Sequence, residues 1–85
     1  MKVIIDVFDA ADQLTGQPAI FTWIIPCRNG VDATLASALM KFAESGFNMQ
    51  YTDNYNQDAD LRAAFKLMCS AHFVISPTVR ARSEL

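Results

Sequence analysis

Apolar and polar positions along the chain alternate with two periods, and the elements follow from where each period holds. Lys2 to Phe8 (KVIIDVF) is rich in β-branched residues and predicts a strand. Asp9 to Pro18 is a turn-rich connection whose ten residues exceed a tight hairpin, which predicts a bulge or an extended loop. Ala19 to Ile25 resumes as a strand, with Phe21, Trp23 and Ile25 on one face and Ile20, Thr22 and Ile24 on the other. Apolar on both faces, this strand is expected at the centre of the sheet or under a cover on its second side. Pro26 ends it.

The period then changes. Arg28-Asn29-Gly30 reads as a turn and Asp32 as the N-cap of a helix. Leu35, Ala38, Leu39, Phe42 and Ala43 form a single apolar stripe, while Thr34, Ser37, Lys41, Glu44 and Ser45 take the wet side. Gly46 stops the helix as a left-handed C′ residue, and Phe47 stands where a Schellman motif makes its hydrophobic contact. Phe47, Met49 and Tyr51 alternate with Asn48, Gln50 and Thr52, which predicts a half-buried strand, and 53–57 reads as a polar loop. A second helix is expected from Asp58 to about His72. Leu61, Ala64, Phe65, Met68, Cys69 and His72 lie on its inner stripe, and Asp58 and Arg62 form an i, i+4 pair outside. Phe73-Val74-Ile75 is read as a short final strand ended by Pro77, with fraying from Thr78 onward.

The expected fold is therefore α+β. It is a small two-layer sandwich with two helices on one face of a mostly antiparallel three- or four-stranded sheet, in the order ββαβα(β). Residues 1–76 form one domain and 77–85 a frayed tail. At 85 residues, 52% of them hydrophobic and 19% charged, the chain is neither disordered nor long enough for two domains. No apolar run reaches the length of a membrane span, and Asp6 interrupts the opening segment too early for a signal peptide. A cytoplasmic setting with two free thiols, Cys27 and Cys69, is the expectation.

Charge narrows the partner class. The net charge is −2, divided between residues 1–60, with three basic against eight acidic side chains, and residues 61–85, with four against one. A nucleic-acid binder ordinarily carries a basic surplus, so that alternative rests on Arg62, Lys66, Arg80 and Arg82 alone. The polarity is sufficiently explained as attraction between two parts of one chain.

Candidate chemistry is sparse. Cys27 follows a strand, neighbours Arg28 and precedes a helix, which makes it the one candidate nucleophile, with His72 the only available imidazole base. The bland reading is a small apolar side chain at a strand end. Cys69 is packing, and His72 is a C-terminal helix cap. Asp6, Asp9 and Asp12 recur at intervals of three, but no calcium-loop pattern surrounds them, and they read as solvated edge and turn residues. Cysteine spacing offers no zinc site, and no glycine-rich phosphate loop is present, so neither a metal nor a cofactor is expected.

The least ordinary feature is residues 47–57, which gather both tyrosines among amides without a basic residue. Tyrosine supplies amphipathic contact area and Asn or Gln adaptable hydrogen bonds, the chemistry of protein recognition. Asn48, Gln50, Tyr51, Asn54, Tyr55 and Asn56 are the expected partner-binding residues. Ala63 and Leu67 widen the apolar face of the second helix, which is then either deeply buried or offered to another chain. The sequence thus reads as a small non-enzymatic protein-binding module, acting on a protein partner or by self-association. Its size and lack of motifs suit an accessory or inhibitory factor from a phage or other mobile element. The alternatives are a Cys27-dependent enzyme and a nucleic-acid binder.

Overall fold

A computed structural model describes residues 1–10, 16–27, 33–51 and 55–84. Among the described residues, three strands and two helices follow along the chain: β1 (Lys2–Asp9), β2 (Phe21–Pro26), α1 (Ala33–Glu44), α2 (Tyr55–Ala71) and β3 (Pro77–Glu84). The strands form one antiparallel sheet in the order β2-β1-β3. Both ladders run past the strands: Cys27 N–H donates to Met1 O, and Ala10 N–H donates to Ser76 O.

Alternation assigns the faces. Val3, Ile5 and Val7 of β1 are fully buried with Ala36, Leu39, Phe42, Phe47, Phe65 and Cys69, so this is the helix-covered side. Phe21, Trp23 and Ile25 of β2, with Val79 and Ala81 of β3, pack onto the same cluster. α1 lies over β1 and β3. α2 reaches toward β2, where the His72 ring stacks on Phe21 with centroids 4.7 Å apart. The α+β sandwich class and its antiparallel sheet are as the sequence predicts.

The segment between the helices is built differently from the expectation. Residues 47–51 form no strand. Gly46 and Phe47 both have positive φ, 73° and 61°, which turns the chain instead of extending it. The two bonds of a Schellman motif close α1: Gly46 N–H to Ala43 O and Phe47 N–H to Phe42 O. A Cβ at position 46 would lie 3.2 Å from Asn48 Nδ2, so glycine fits both the angle and the space. The Ser45 hydroxyl then accepts the Asn48 and Met49 N–H groups, at 3.2 and 3.3 Å, and holds the loop. Phe47 is carried inward, edge-on to Phe42 at 4.9 Å and close to Trp23 and Phe65 at 5.6 and 4.7 Å. One ring thereby joins both helices to the sheet.

The third strand is β3. Residues 77–84 pair with β1 from Asp9↔Pro77 to Lys2↔Glu84 and are not a frayed tail. Val79 and Ala81 face the core between outward Arg80 and Arg82, and each β3 residue gains a ladder partner on β1. Residues 73–76 belong to no strand; they form the corner between α2 and β3. Among the described residues the element order is ββααβ. β1 occupies the centre, so β2 stands at an edge and its Ile24 is 53% exposed.

α2 begins at Tyr55, three residues before the expected start. Asp58 is turned inward, only 2% exposed, and accepts the Tyr51 N–H at 2.9 Å; it is not an outer-face residue. Arg62 donates from Nε to Phe47 O at 2.6 Å. α2 is thus tied to the loop that follows α1 by a buried carboxylate and a guanidinium. Asp12, the Arg28-Asn29-Gly30 turn, Asp32 as N-cap, and Thr52 lie outside the described residues, as do the side chains of Thr34 and Leu35.

Candidate functional surface

The sheet face turned away from α1 and α2 carries Ile4, Asp6 and Phe8 of β1, Thr22 and Ile24 of β2, and Arg80 and Arg82 of β3. Asp6 accepts the Thr22 hydroxyl at 2.8 Å and pairs with Arg82 at 2.5 Å. Arg82 also approaches Glu84 at 3.7 Å, and the Arg80 guanidinium lies 5.9 Å from the Phe8 ring. Long arginine stems laid over the sheet suit the burial of Ile4 and Phe8 on this face, and Gly16 to Ala19 border it beside Asp6, Phe8, Thr22 and Arg80. Asp9 has the opposite parity from Asp6, so the two carboxylates diverge. Among the described residues no cluster of three or more potential ligands could hold a metal ion.

The four basic residues of the nucleic-acid alternative are not brought together. Arg80 and Arg82 are on the sheet face turned away from the two helices and partly engaged by Asp6, Glu84 and Phe8. Arg62 and Lys66 are on α2, on the other side of the sheet. Arg62 is spent on Phe47 O and lies 5.7 Å from the Phe42 ring.

Cys27 and His72 are separated by the length of β2. His72 stacks on Phe21 at the start of the strand and Cys27 follows Pro26 at its end, about 20 Å away at the usual rise per residue. The thiol–imidazole pair that a Cys27-dependent enzyme requires is therefore not assembled. Both cysteines are free; Cys69 is buried, and that burial pushes its thiol pKa up. His72 does end its helix, with its ring used for stacking.

The expected partner-binding segment is divided in role. Asn48 and Gln50 are exposed, and so is Asn56 at the start of α2. The Asn48 amide donates to Ser45 O at 2.9 Å, closing the loop. The half-buried Tyr51 ring stacks on Phe42 at 5.6 Å, 8° from parallel. Burial first, then the charges of Cys27 and Asp58, push its phenol above the ordinary range. Asn54 and the Tyr55 side chain lie outside the described residues. Leu67 and Ala63 of α2 are exposed, so the widened apolar face of that helix is open rather than deeply packed.

A second surface went unread in the sequence, at the α2–β3 corner. α2 closes with its own Schellman pair, Phe73 N–H to Ser70 O and Val74 N–H to Cys69 O. The C′ position, where glycine is ordinarily found, is held by Phe73 with φ 58°. Val74 is buried as the C″ anchor, while Phe73 and Ile75 on either side of it are 89% and 90% exposed. A groove of about 460 Å³ runs beside them, lined by Asn48, Phe65, Lys66, Val74, Ile75 and Pro77 among others. It joins the corner to the start of the predicted recognition segment through Asn48. The sequence signal was a helix stop without glycine followed by apolar residues flanking a valine, which reads equally well as a strand.

No helix among the described residues is long and apolar enough to cross a membrane. Comparison of the chain with known protein families, curated proteins and solved structures gives no match, so any functional reading rests on these side chains and their placement.

Proposed function

We propose that this chain is a small protein-binding module whose contact surface is the α2–β3 corner, extended by the exposed loop residues Asn48 and Gln50. The supporting observation is Phe73. A phenylalanine held at positive φ costs roughly 1–2 kcal/mol relative to its ordinary backbone regions. Its ring, 89% exposed, recovers almost none of that within the fold. Backbone strain and apolar exposure coincide at one residue, the pattern expected where a side chain is displayed for a partner. Phe73 and Ile75 are anchors for apolar pockets, and Lys66 beside the groove favours a partner with acidic groups around those pockets.

The test is affinity capture from the native host, comparing the unaltered chain with the Phe73→Ser/Ile75→Ser double variant. A partner retained by the former and lost by the latter, with thermal stability of the variant preserved, is the expected outcome. Equal capture by both chains removes the corner as the contact surface. A Tyr51→Ala/Tyr55→Ala variant serves as comparison for the loop segment; Tyr51→Ala is expected to lower stability, because its ring is packed on Phe42.

A further inference from the structure

We infer that β2 pairs with β2 of a second copy of this chain, joining two three-stranded sheets into one continuous six-stranded sheet. The inference is independent of the corner surface and uses the opposite kind of interaction, main-chain hydrogen bonding along a strand edge.

The ladders determine which groups are free. Cys27 N–H donates to Met1 O and Ala10 N–H to Ser76 O. With hydrogen-bonded and non-hydrogen-bonded pairs alternating, odd-numbered residues of β2 bond β1, and Thr22 and Ile24 point their N–H and C=O groups away from it. No described strand lies on that side. Pro26 has the same outward parity, which is where a proline, lacking the N–H, is tolerated. On β3 the outward groups are those of Val79, Ala81 and Ser83.

The two edges differ in how they are guarded. Natural edge strands are protected by charge, and β3 carries Arg80 and Arg82. The antiparallel pairings of β3 with its own copy that are centred on Arg80, Ala81 or Arg82 set Arg80 opposite Arg80 or Arg82, or Arg82 opposite Arg82. Each choice places like charges face to face. β2, FTWIIP, has no charged residue at all. In a twofold pairing centred on Trp23, Thr22 faces Ile24 of the copy, Phe21 faces Ile25, and Trp23 faces Trp23. Every cross-strand pair is uncharged, and about four main-chain hydrogen bonds form through Thr22 and Ile24. Ile24, 53% exposed on a strand apolar on both faces, gains an apolar environment beside Ile4 and the second copy. The resulting order, β3-β1-β2-β2-β1-β3, leaves only the arginine-bearing strands outside, so assembly stops at two.

The experiment is sedimentation equilibrium over a concentration series, combined with amide hydrogen exchange. The expected mass rises from 9.4 kDa to twice that value. In the same range, exchange at the Thr22 and Ile24 amides should slow by about tenfold or more. Ile24→Lys should remain folded and monomeric, and Phe73→Ser/Ile75→Ser should dimerise unchanged. A monomer at every concentration overturns the inference. So does a dimer in which the Thr22 and Ile24 amides exchange at the monomer rate, which would place the contact on α2 or the corner. Protection appearing only with a foreign protein would assign the edge to a partner's strand and equally refute self-pairing.

Discussion

Replacing Phe73 with glycine should make this protein more stable, although a large apolar side chain is removed. Phe73 occupies the left-handed C′ position of α2 at φ 58°. For a residue bearing a Cβ that conformation costs roughly 1–2 kcal/mol, which glycine does not pay. Glycine's freer unfolded chain returns about 0.5–1 kcal/mol of this gain. With the ring 89% exposed, the folded state loses little buried area. The balance is a stabilisation of about 0.5–1 kcal/mol, and for a domain of this size about 4–8 °C in Tm per kcal/mol. Thermal and urea unfolding, followed by Trp23 emission and by far-ultraviolet circular dichroism, should give a higher Tm and midpoint with an unchanged m-value. Phe73→Ala separates ring from backbone: it keeps the Cβ and should be nearly neutral. A Phe73→Gly protein no more stable than the unaltered chain would mean that the ring holds part of the fold together. The case for its display to a partner would then fail.

Three other outcomes follow from the core and its polar ties. Phe47→Ala should cost about 3–5 kcal/mol, read by urea denaturation, because its ring is fully buried among Trp23, Phe42 and Phe65. Asp58→Ala should cost about 1.5–3 kcal/mol by removing the charged acceptor of the Tyr51 N–H, and Asp58→Asn less, since an amide oxygen can still accept. Alkaline titration should destabilise the fold. Cys69 and Tyr51 have pKa values raised above their ordinary 9.0 and 10.0, so the unfolded chain releases these protons first. Their contribution is complete below those ordinary values and is lost as pH rises through the folded-state ones. Denaturant midpoints measured from pH 8 to 11 should therefore fall, and Cys69→Ala should remove the earlier part of the decline.

Local chemistry made the first half of the fold legible. The β-branched run at Lys2–Phe8, the stripe through Leu39 and Phe42, and Gly46 as helix stop each carried one interpretation, and Phe47 was identified as the Schellman contact. The same residue misled as the first member of an alternating run. Period two in 47–52 came from Phe47 entering the core and Tyr51 leaning on Phe42, while the backbone between them is held by Ser45. At the other end Val79-Arg80-Ala81-Arg82 had a true strand period that its arginines and terminal position concealed. Pairing with β1 is a long-range event, and nothing local to 77–84 announces which strand awaits it. The exposed corner was missed for a related reason. Phe73 and Ile75 are apolar, and composition counts such residues as interior; only the backbone geometry turns them out.

The position of β1 has a consequence for how the molecule is made. Its second partner is almost the last part of the described chain, so Lys2 waits for Glu84 before the sheet can be completed. During synthesis the early strands and both helices emerge while one side of β1 remains open, and a two-stranded ribbon is marginal by itself. Ribosome-bound or C-terminally clipped forms are therefore the ones most in need of chaperone cover, since they present the central strand as a template for stray pairing.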